Sequence, residues 1–266
     1  MIRPLIVTAL VLATAIASAD SAEAEVRTRK VAYTHDGATL EGHLAWDDSV
    51  EGKRPGVLVV HEWWGLNDYA RQRAEQLAEM GYVAFALDMY GKGQVTSHPS
   101  QAGEWAGMIR KNTDKWRARA NAGLKVLLDQ KQVDHDQVAA IGYCFGGSTV
   151  LQMAYADEPL KGVVSFHGAL PTPSEEEAKA IDASILVCHG AEDAFVSEES
   201  IDSFRKALEA AGVDYQLVYY GGARHGFTNP EAGTFGIDNL KYDAAADRRS
   251  WAAMQDLFAE IFDEKK

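Results

Sequence analysis

Positively charged residues are scarce in this chain, which has 26 lysines and arginines against 39 aspartates and glutamates, for a formal net charge of −13. An acidic chain without a Lys/Arg cluster is not expected to bind nucleic acid or an anionic membrane surface. Its 266 residues are 47% hydrophobic, as in an ordinary folded protein. No internal repeat, low-complexity stretch or linker divides the chain, so we expect one domain. We also expect a monomer.

A long apolar run is also missing. The apolar stretch at residues 5–17 has 13 residues, whereas a membrane-spanning helix needs about 20. Arg3 precedes it and Ala17-Ser18-Ala19 follows it, which is the pattern of a secretory signal peptide with a cleavage site before Asp20. A membrane anchor is the alternative. We expect a signal peptide at 1–19, a mature domain at 20–266, and an exported protein, periplasmic or secreted, without stable insertion in a membrane.

Cysteine is equally scarce, because Cys144 and Cys188 are the only two. A cysteine pair in an exported protein is typical of a disulfide. If both lie near the ends of parallel strands two apart, however, their backbones are separated by roughly 10 Å. A disulfide bridges at most roughly 7 Å. We therefore expect two free thiols, with Cys188 buried in its strand.

The spacings that hold metal ions are absent as well. His61, His167, His189 and His225 lie far apart in the chain, and no His-x-x-x-His or Cys-x-x-Cys pair occurs among the motifs. Such spacings are what makes a zinc site credible. The sequence therefore predicts no metal, and Cys144 lacks the neighbouring cysteine that a redox role requires.

What is present is an alternation of strands and helices. Residues 26–33 and 39–46 predict a hairpin around His35-Asp36-Gly37. Further strands are predicted at 57–61, 83–87, 138–141, 162–166, 184–188 and 215–219. Helices are predicted at 68–80, 147–156, 198–211 and 242–262, and more than one between 99 and 130. Nearly continuous apolar strands that alternate with helices indicate an α/β fold with a mainly parallel central sheet and helices on both faces.

The pentapeptide Gly142-Tyr143-Cys144-Phe145-Gly146 follows one of these strands. It is the Gly-x-nucleophile-x-Gly pattern of a strand-to-helix elbow, with cysteine at the nucleophile position. The glycines are needed because side chains there would clash with the neighbouring strand or helix. The turn exposes the thiol and leaves the amide of Phe145 free to bind an oxyanion. The alternative is a glycine-rich turn around an inert, buried cysteine.

Two later strand ends carry the groups that would activate such a thiol. Asp193 lies in the loop after the strand that ends at Cys188, and His225 lies in the loop after residue 220. Open α/β sheets place their sites at these strand ends, and the chain order nucleophile, acid, histidine is that of an α/β-hydrolase. The histidine would take the thiol proton, and the aspartate would orient the imidazole. Taken singly, Asp193 and His225 are also consistent with ordinary loop residues.

The segment His61-Glu62-Trp63-Trp64-Gly65 ends an earlier strand. The loop at this position supplies the second oxyanion amide in such enzymes, so the backbone N–H of Trp63 is the candidate partner of the Phe145 amide. Glu62 is unexpected here, because a fixed negative charge opposes a developing oxyanion. An exposed loop carboxylate is the alternative interpretation.

With these motifs the chain resembles the dienelactone hydrolase family over essentially the whole mature sequence. The matching residues are residues 61–65, Leu87-Asp88-Met89-Tyr90, residues 142–147, His189-Gly190 with Asp193, and His225-Gly226-Phe227. The resemblance implies a single-domain α/β-hydrolase fold without a large cap, a Cys144–Asp193–His225 triad and no cofactor. It also implies that Glu62 pairs with the resting thiol and accepts its proton when substrate binds.

The chain departs from the family at two arginines that grip the carboxylate of dienelactone. Lys92 and Asn229 stand at those positions. Lysine lacks the bidentate fork of arginine, and asparagine has no charge. Arg224 is a possible substitute. We therefore expect a neutral or weakly anionic ester or lactone as substrate.

The sequence therefore predicts a carboxylic-ester or lactone hydrolase that forms a thioester acyl-enzyme. A substrate pocket is predicted around Trp64, Tyr90, Lys92 and His167, although aromatic residues at strand ends are more often core. Two alternatives stay open, namely a thioesterase or other acyl-transfer enzyme on the same triad, and a non-catalytic exported binding protein.

Overall fold

The central element of the fold is an eight-stranded sheet, which a computed structural model describes within residues 25–263. The predicted signal peptide lies outside these residues. The strands are β1 (Val26–His35), β2 (Ala38–Asp47), β3 (Arg54–Val60), β4 (Val83–Leu87), β5 (Val133–Tyr143), β6 (Gly162–Phe166), β7 (Ser184–Gly190) and β8 (Tyr215–Tyr220). The helices are α1 (Asp68–Glu79), α2 (Pro99–Arg110), α3 (Thr113–Leu128), α4 (Phe145–Tyr155), α5 (Glu175–Ala180), α6 (Glu198–Ala211) and α7 (Ala244–Asp263), with a 3₁₀ turn at Ala232–Phe235.

The strand order is β1-β2-β4-β3-β5-β6-β7-β8. The β1–β2 hairpin pairs antiparallel, β2 pairs antiparallel with β4, and every later pair is parallel. This is the predicted α/β-hydrolase architecture, with its mainly parallel sheet and its N-terminal hairpin. Because β5 lies in the middle of the parallel part, the elbow that follows it lies at the centre of the strand ends.

Successive residues of the buried strands face opposite sides of the sheet. Leu58 and Val60 of β3 pack into one hydrophobic cluster with residues of α2, α3, α4 and α6. Val57 and Val59 pack into the other cluster, with residues of α1 and α7. The alternation follows from the two-residue period of a strand, and it confirms that helices cover both faces.

The predicted elements differ from the observed ones mainly at their ends. The helix α1 begins after Asn67, whose side chain accepts a hydrogen bond from the Ala70 amide, and it is followed by Gly81 at φ 91°. β5 begins five residues before its predicted start, at Val133. The short helix α5 was not predicted, although Ser174 and Glu177 form a capping box at its start, because six residues give no clear apolar period.

No helix within residues 25–263 is both long enough and apolar enough to cross a bilayer.

Candidate active site

Cys144 lies on a strained turn between β5 and α4. Its φ is 54° and its ψ is −109°, and it is the residue that precedes the first turn of α4. A non-glycine residue at positive φ is uncommon and is found at functional sites. The backbone of Cys144 is held by a hydrogen bond of 3.0 Å from its amide to the Phe166 carbonyl of β6.

The two elbow glycines are required by contact, as the sequence predicts. A Cβ on Gly142 would lie 2.0 Å from the Gly146 carbonyl oxygen, and a Cβ on Gly146 would lie 2.2 Å from the Val60 carbonyl oxygen. Phe145 opens α4, and the first amides of a helix have no intrahelical acceptor. The Phe145 amide is therefore available beside the Cys144 thiol.

The side chains of Asp193 and His225 are joined directly, 32 residues apart in the chain. The Nδ1 atom of His225 lies 2.7 Å from Oδ2 of Asp193, and both residues are buried. The other carboxylate oxygen of Asp193 accepts hydrogen bonds from the Phe195 amide at 2.9 Å and from Asn239 at 3.3 Å. Asp193 is thus held as an acceptor for the His225 ring. Burial opposes its ionisation, but the hydrogen bond and charge of His225 together with the Phe195 amide outweigh burial, so the pKa of Asp193 is lowered.

His225 interacts with Cys144 on its other side. Burial opposes protonation of the imidazole, but the Cys144 charge and the hydrogen bonds to Cys144 and Asp193 outweigh it, so that the pKa of His225 is raised to about 10. Asp193, His225 and Cys144 are thus linked in that order, and their catalytic roles stay predictions.

Glu62 is buried, with 5% of its surface exposed, so the interpretation as an exposed loop carboxylate is wrong. Its Oε2 accepts a hydrogen bond of 2.6 Å from the Asn229 side chain. Burial raises the pKa of Glu62 to about 7, against the opposing effect of that hydrogen bond and of the positive charge on His225. The carboxyl group can therefore hold or release a proton near neutral pH. Its role as acceptor of the thiol proton stays a prediction.

The loop after β3 is fixed by His61, for which the sequence indicated no such role. Nδ1 of His61 lies 2.5 Å from the Glu62 carbonyl oxygen, and Nε2 accepts from the Met89 amide at 3.2 Å. The hydroxyl of Tyr90 donates to the Trp63 carbonyl at 3.1 Å. These bonds fix the loop that carries the Trp63 amide, the second predicted oxyanion donor. A histidine at a strand end was the available sequence signal, but one of its two partners, the Met89 amide, lies 28 residues away in the chain.

His167 lies beneath the His225 ring, with ring centroids 5.2 Å apart. It has no exposed surface, and its Nε2 lies 2.7 Å from the Thr228 hydroxyl. Thr228 is also bonded to Tyr69, and its carbonyl accepts from buried Arg73 at 2.8 Å. These contacts hold His167 against the His225 ring. His167 was predicted to line the substrate pocket, but it has no exposed surface with which to do so.

The other predicted pocket residues occupy three different surroundings. Tyr90 is buried and packs against the Phe145 ring at 5.6 Å between centroids. Trp64 is 2% exposed and stacks on Phe235 at 4.0 Å. Lys92 is ion-paired with Glu41 of β2 at 2.8 Å. The substrate contacts of these residues stay predictions.

Cys144 and Cys188 are both free, with β6 between their strands, as the strand spacing predicts. Cys188 is buried, and burial raises the pKa of its thiol to about 12. No group of three or more candidate metal ligands occurs within the described part of the chain.

Comparisons with known proteins identify the family of the chain. Residues 40–262 match the model of the dienelactone hydrolase family. The solved structure of a dienelactone hydrolase-like promiscuous phosphotriesterase from metagenomic libraries is 43% identical, with a TM-score of 0.87 over 89% of this chain and 99% of its own.

Curated relatives match as well. An uncharacterised protein of Caenorhabditis elegans is 35% identical over 58% of this chain and 99% of its own length. A protein of Aquifex aeolicus named "Putative carboxymethylenebutenolidase" is 29% identical over 75% of this chain and 86% of its own length.

Proposed function

The chain belongs to the dienelactone hydrolase family and is a hydrolase of ester or lactone bonds, and we propose that it works through a thioester acyl-enzyme on Cys144. The observation that carries this proposal is the position of His225, which contacts Asp193 at 2.7 Å on one side and Cys144 on the other. An imidazole held between a carboxylate and a thiol can take the thiol proton and later return it.

The proposed first half-reaction is attack of the Cys144 thiolate on the carbonyl carbon. A C–S bond forms, the carbonyl electron pair moves to oxygen, and the amides of Phe145 and Trp63 stabilise the oxyanion. When the carbonyl re-forms, the C–O bond to the leaving group breaks and His225 donates its proton to the departing alkoxide. The product is a thioester on Cys144, with the alcohol released.

In the second half-reaction, His225 takes a proton from water while the oxygen attacks the thioester carbonyl. The C–S bond breaks, and the carboxylic acid and the thiol are regenerated. Asp193 holds the His225 ring in the required tautomer throughout. The family resemblance implies a variant of the first proton transfer, in which Glu62 accepts the thiol proton when substrate binds and His225 enters the cycle as the imidazolium. The proton held by Glu62 then returns to the Cys144 thiolate when the acyl group leaves.

The substrate is a neutral or weakly anionic ester or lactone, because neither position of the family's gripping arginines supplies a free cation. Lys92 is paired with Glu41, and Asn229 is bound to Glu62. We also propose that the protein works outside the cytoplasm as a monomer, after removal of residues 1–19. Cell fractionation and light scattering on the purified protein test these two points.

The test of the mechanism is hydrolysis of short-chain p-nitrophenyl esters and an aryl lactone by the purified protein and by Cys144→Ala. We expect turnover in the wild type, loss of it in Cys144→Ala, and retention in Cys188→Ala as the matched cysteine control. Mass spectrometry of the quenched protein is expected to show the acyl group on Cys144. Equal turnover in the wild type and Cys144→Ala would exclude Cys144 as the nucleophile.

A second candidate activity is phosphotriester hydrolysis, because the 43%-identical relative of known structure is described as a promiscuous phosphotriesterase. The same thiolate would attack phosphorus, form an S–P bond and expel an aryloxide, which His225 would protonate. Release of p-nitrophenol from a dialkyl p-nitrophenyl phosphate, dependent on Cys144 and not on Cys188, tests this activity.

A further inference from the structure

A groove of about 320 Å³ lies beside the proposed nucleophile, between the start of α4 and the segment that leads into α6. One wall is apolar and contains Leu170, Pro171 and Val196. Arg110, the last residue of α2, lies at its rim, and it is the one charged side chain among the described residues that line the groove. A concave apolar surface with a single cation is typical of a ligand subsite.

The groove adjoins both groups that act on the ester. Ser148, in its lining, is bonded through its amide to the Cys144 carbonyl at 3.4 Å, so it lies one helical turn beyond the nucleophile. Phe195, on the opposite wall, packs edge-on against the His225 ring at 5.0 Å between centroids, and 55% of its surface is exposed. A group attached to an ester at Cys144 can therefore extend directly into the groove.

Arg110 is oriented by aromatic rings, and several of its N–H donors have no partner among the described residues. The central carbon of its guanidinium lies 5.2 Å from the centroid of the Phe145 ring and 5.8 Å from that of Trp116. One nitrogen donates to the Ser148 hydroxyl at 3.2 Å. No carboxylate of residues 25–263 forms an ion pair with Arg110. Because guanidinium has five N–H donors, several are left for a ligand.

Lys92 and Arg224 are the cations that the sequence suggested for binding a substrate carboxylate, and both have other partners. Lys92 is paired with Glu41, and Arg224 donates to the Asp238 carbonyl at 2.9 Å and faces Glu192 at 3.6 Å. Stacking on aromatic rings reduces the orientational freedom of Arg110. The fork of a guanidinium fits a carboxylate through two parallel hydrogen bonds, and Arg110 is exposed, so its fork is accessible to a ligand.

We propose that Arg110 binds a carboxylate on an apolar arm of the substrate, so that the preferred substrate is a monoanionic ester with its charge several bonds from the scissile carbonyl. This inference rests on the proposed function and deepens it. It assigns recognition of the anion to Arg110 at the rim of this groove, and not to the positions of Lys92 and Asn229. In a chain of net charge −13, this local cation is what makes an anionic ester acceptable.

The test compares pairs of esters that differ only in charge. Mono-p-nitrophenyl glutarate and p-nitrophenyl pentanoate carry the difference on the acyl arm, and m-carboxyphenyl pentanoate and phenyl pentanoate carry it on the leaving group. For each pair the measured quantity is the ratio of kcat/KM, anionic over neutral, in the wild type, Arg110→Gln, Arg110→Lys and Lys111→Gln. Lys111 is the neighbouring exposed cation outside the groove, so its variant is the matched control.

In at least one pair we expect Arg110→Gln to lower the ratio by about tenfold or more, the size of a lost charged hydrogen bond. We expect Arg110→Lys to recover part of the ratio and Lys111→Gln to leave it unchanged. Salt at about 1 M should lower the ratio of the wild type but not that of Arg110→Gln.

Ratios in both pairs that are unaffected by Arg110→Gln would overturn the inference. Absence of turnover of the neutral esters, or their equal turnover by Cys144→Ala, would instead overturn the proposed function and the inference with it. The two failures are therefore distinguishable.

Discussion

The side-chain amide of Asn229 donates a hydrogen bond of 2.6 Å to the carboxyl group of Glu62, and both residues are buried. The orientation of the amide is determined by its other end, because Oδ1 of Asn229 accepts from the Glu231 amide at 2.9 Å. The NH₂ group therefore faces Glu62. A neutral donor now stands at the position where the family resemblance implies an arginine. Burial raises the pKa of this carboxyl group to about 7, and the hydrogen bond from Asn229 opposes the rise only in part.

Replacement of Glu62 by glutamine is expected to stabilise the fold at alkaline pH. The pKa of Glu62 is raised from 4.5 to about 7, so the folded state binds the proton more tightly than the unfolded state. Stability from this group is present below about pH 4.5 and falls as the pH rises to 7. Glu62→Gln removes that loss, which amounts to about 3 kcal/mol by pH 8. Urea denaturation at pH 5 and pH 8 measures the difference, with Glu79→Gln on the exposed face of α1 as control. An equal effect of Glu62→Gln at both pH values would contradict the prediction.

Loss of the Asn229 amide is expected to shift the pH dependence of activity to higher pH. The hydrogen bond from Asn229 lowers the pKa of Glu62, so Asn229→Ala raises it. If the Glu62 carboxylate accepts the thiol proton, the acidic limb of kcat/KM for a neutral ester lies near pH 7 and moves upwards in Asn229→Ala. The same substitution in a Glu62→Gln background is expected to produce no shift. A shift of equal size in that background would assign the limb to another group.

Replacement of Asp193 by asparagine is expected to reduce kcat for ester hydrolysis by a factor of about 10² to 10⁴, because the His225 ring loses its charged partner and its preferred tautomer. Since Asp193 raises the pKa of His225, the imidazole is also expected to titrate at lower pH in this variant. Steady-state kinetics and NMR titration of the ring measure the two effects. Glu192→Gln changes the adjacent, exposed carboxylate and is expected to retain activity. Similar losses in both variants would point to a disturbed loop.

Alanine at Gly146 is expected to destabilise the protein by about 2 kcal/mol or more, because its Cβ would lie 2.2 Å from a backbone oxygen that cannot move aside. A Cβ on Gly107, within α2, would meet no atom within 4 Å. Gly107→Ala is therefore expected to stabilise the protein by about 0.5–1 kcal/mol, through the lower entropy of its unfolded chain. Thermal unfolding of the two variants should shift Tm in opposite directions. Tolerance of both substitutions would contradict the close approach at the elbow.

Iodoacetamide is expected to label Cys144 quickly and Cys188 only on unfolding. Cys144 is partly exposed beside His225, whereas Cys188 is buried and burial raises the pKa of its thiol to about 12. A thiol reacts as its thiolate, so burial slows the reaction of Cys188 both by blocking access of the reagent and by keeping the thiol protonated. Peptide mass spectrometry over a time course measures both rates. Equal, slow rates would favour the non-catalytic binding protein that the sequence left as an alternative.

Much of the fold could be predicted from local patterns. The strands before Cys144, Asp193 and His225 are nearly continuous in apolar residues, and the elbow is marked by its Gly-x-Cys-x-Gly pattern, although the contact that requires Gly146 is with Val60 of a neighbouring strand. The order of these groups along the chain was therefore enough to predict that they meet. Short elements such as α5 were missed, because six residues are too few for an apolar period to emerge.

The sequence by itself determined the α/β class and the strand ends at which the candidate catalytic groups lie, because apolar periodicity acts over short stretches of chain, and it marked the elbow by a local glycine pattern. The tertiary structure alone decided the partners of each polar group. Glu62 binds Asn229 across 167 residues, Lys92 binds Glu41, and Arg110 stacks on Phe145 and Trp116. Such contacts depend on how the layers pack, and no local pattern records which side chain a buried charge will meet.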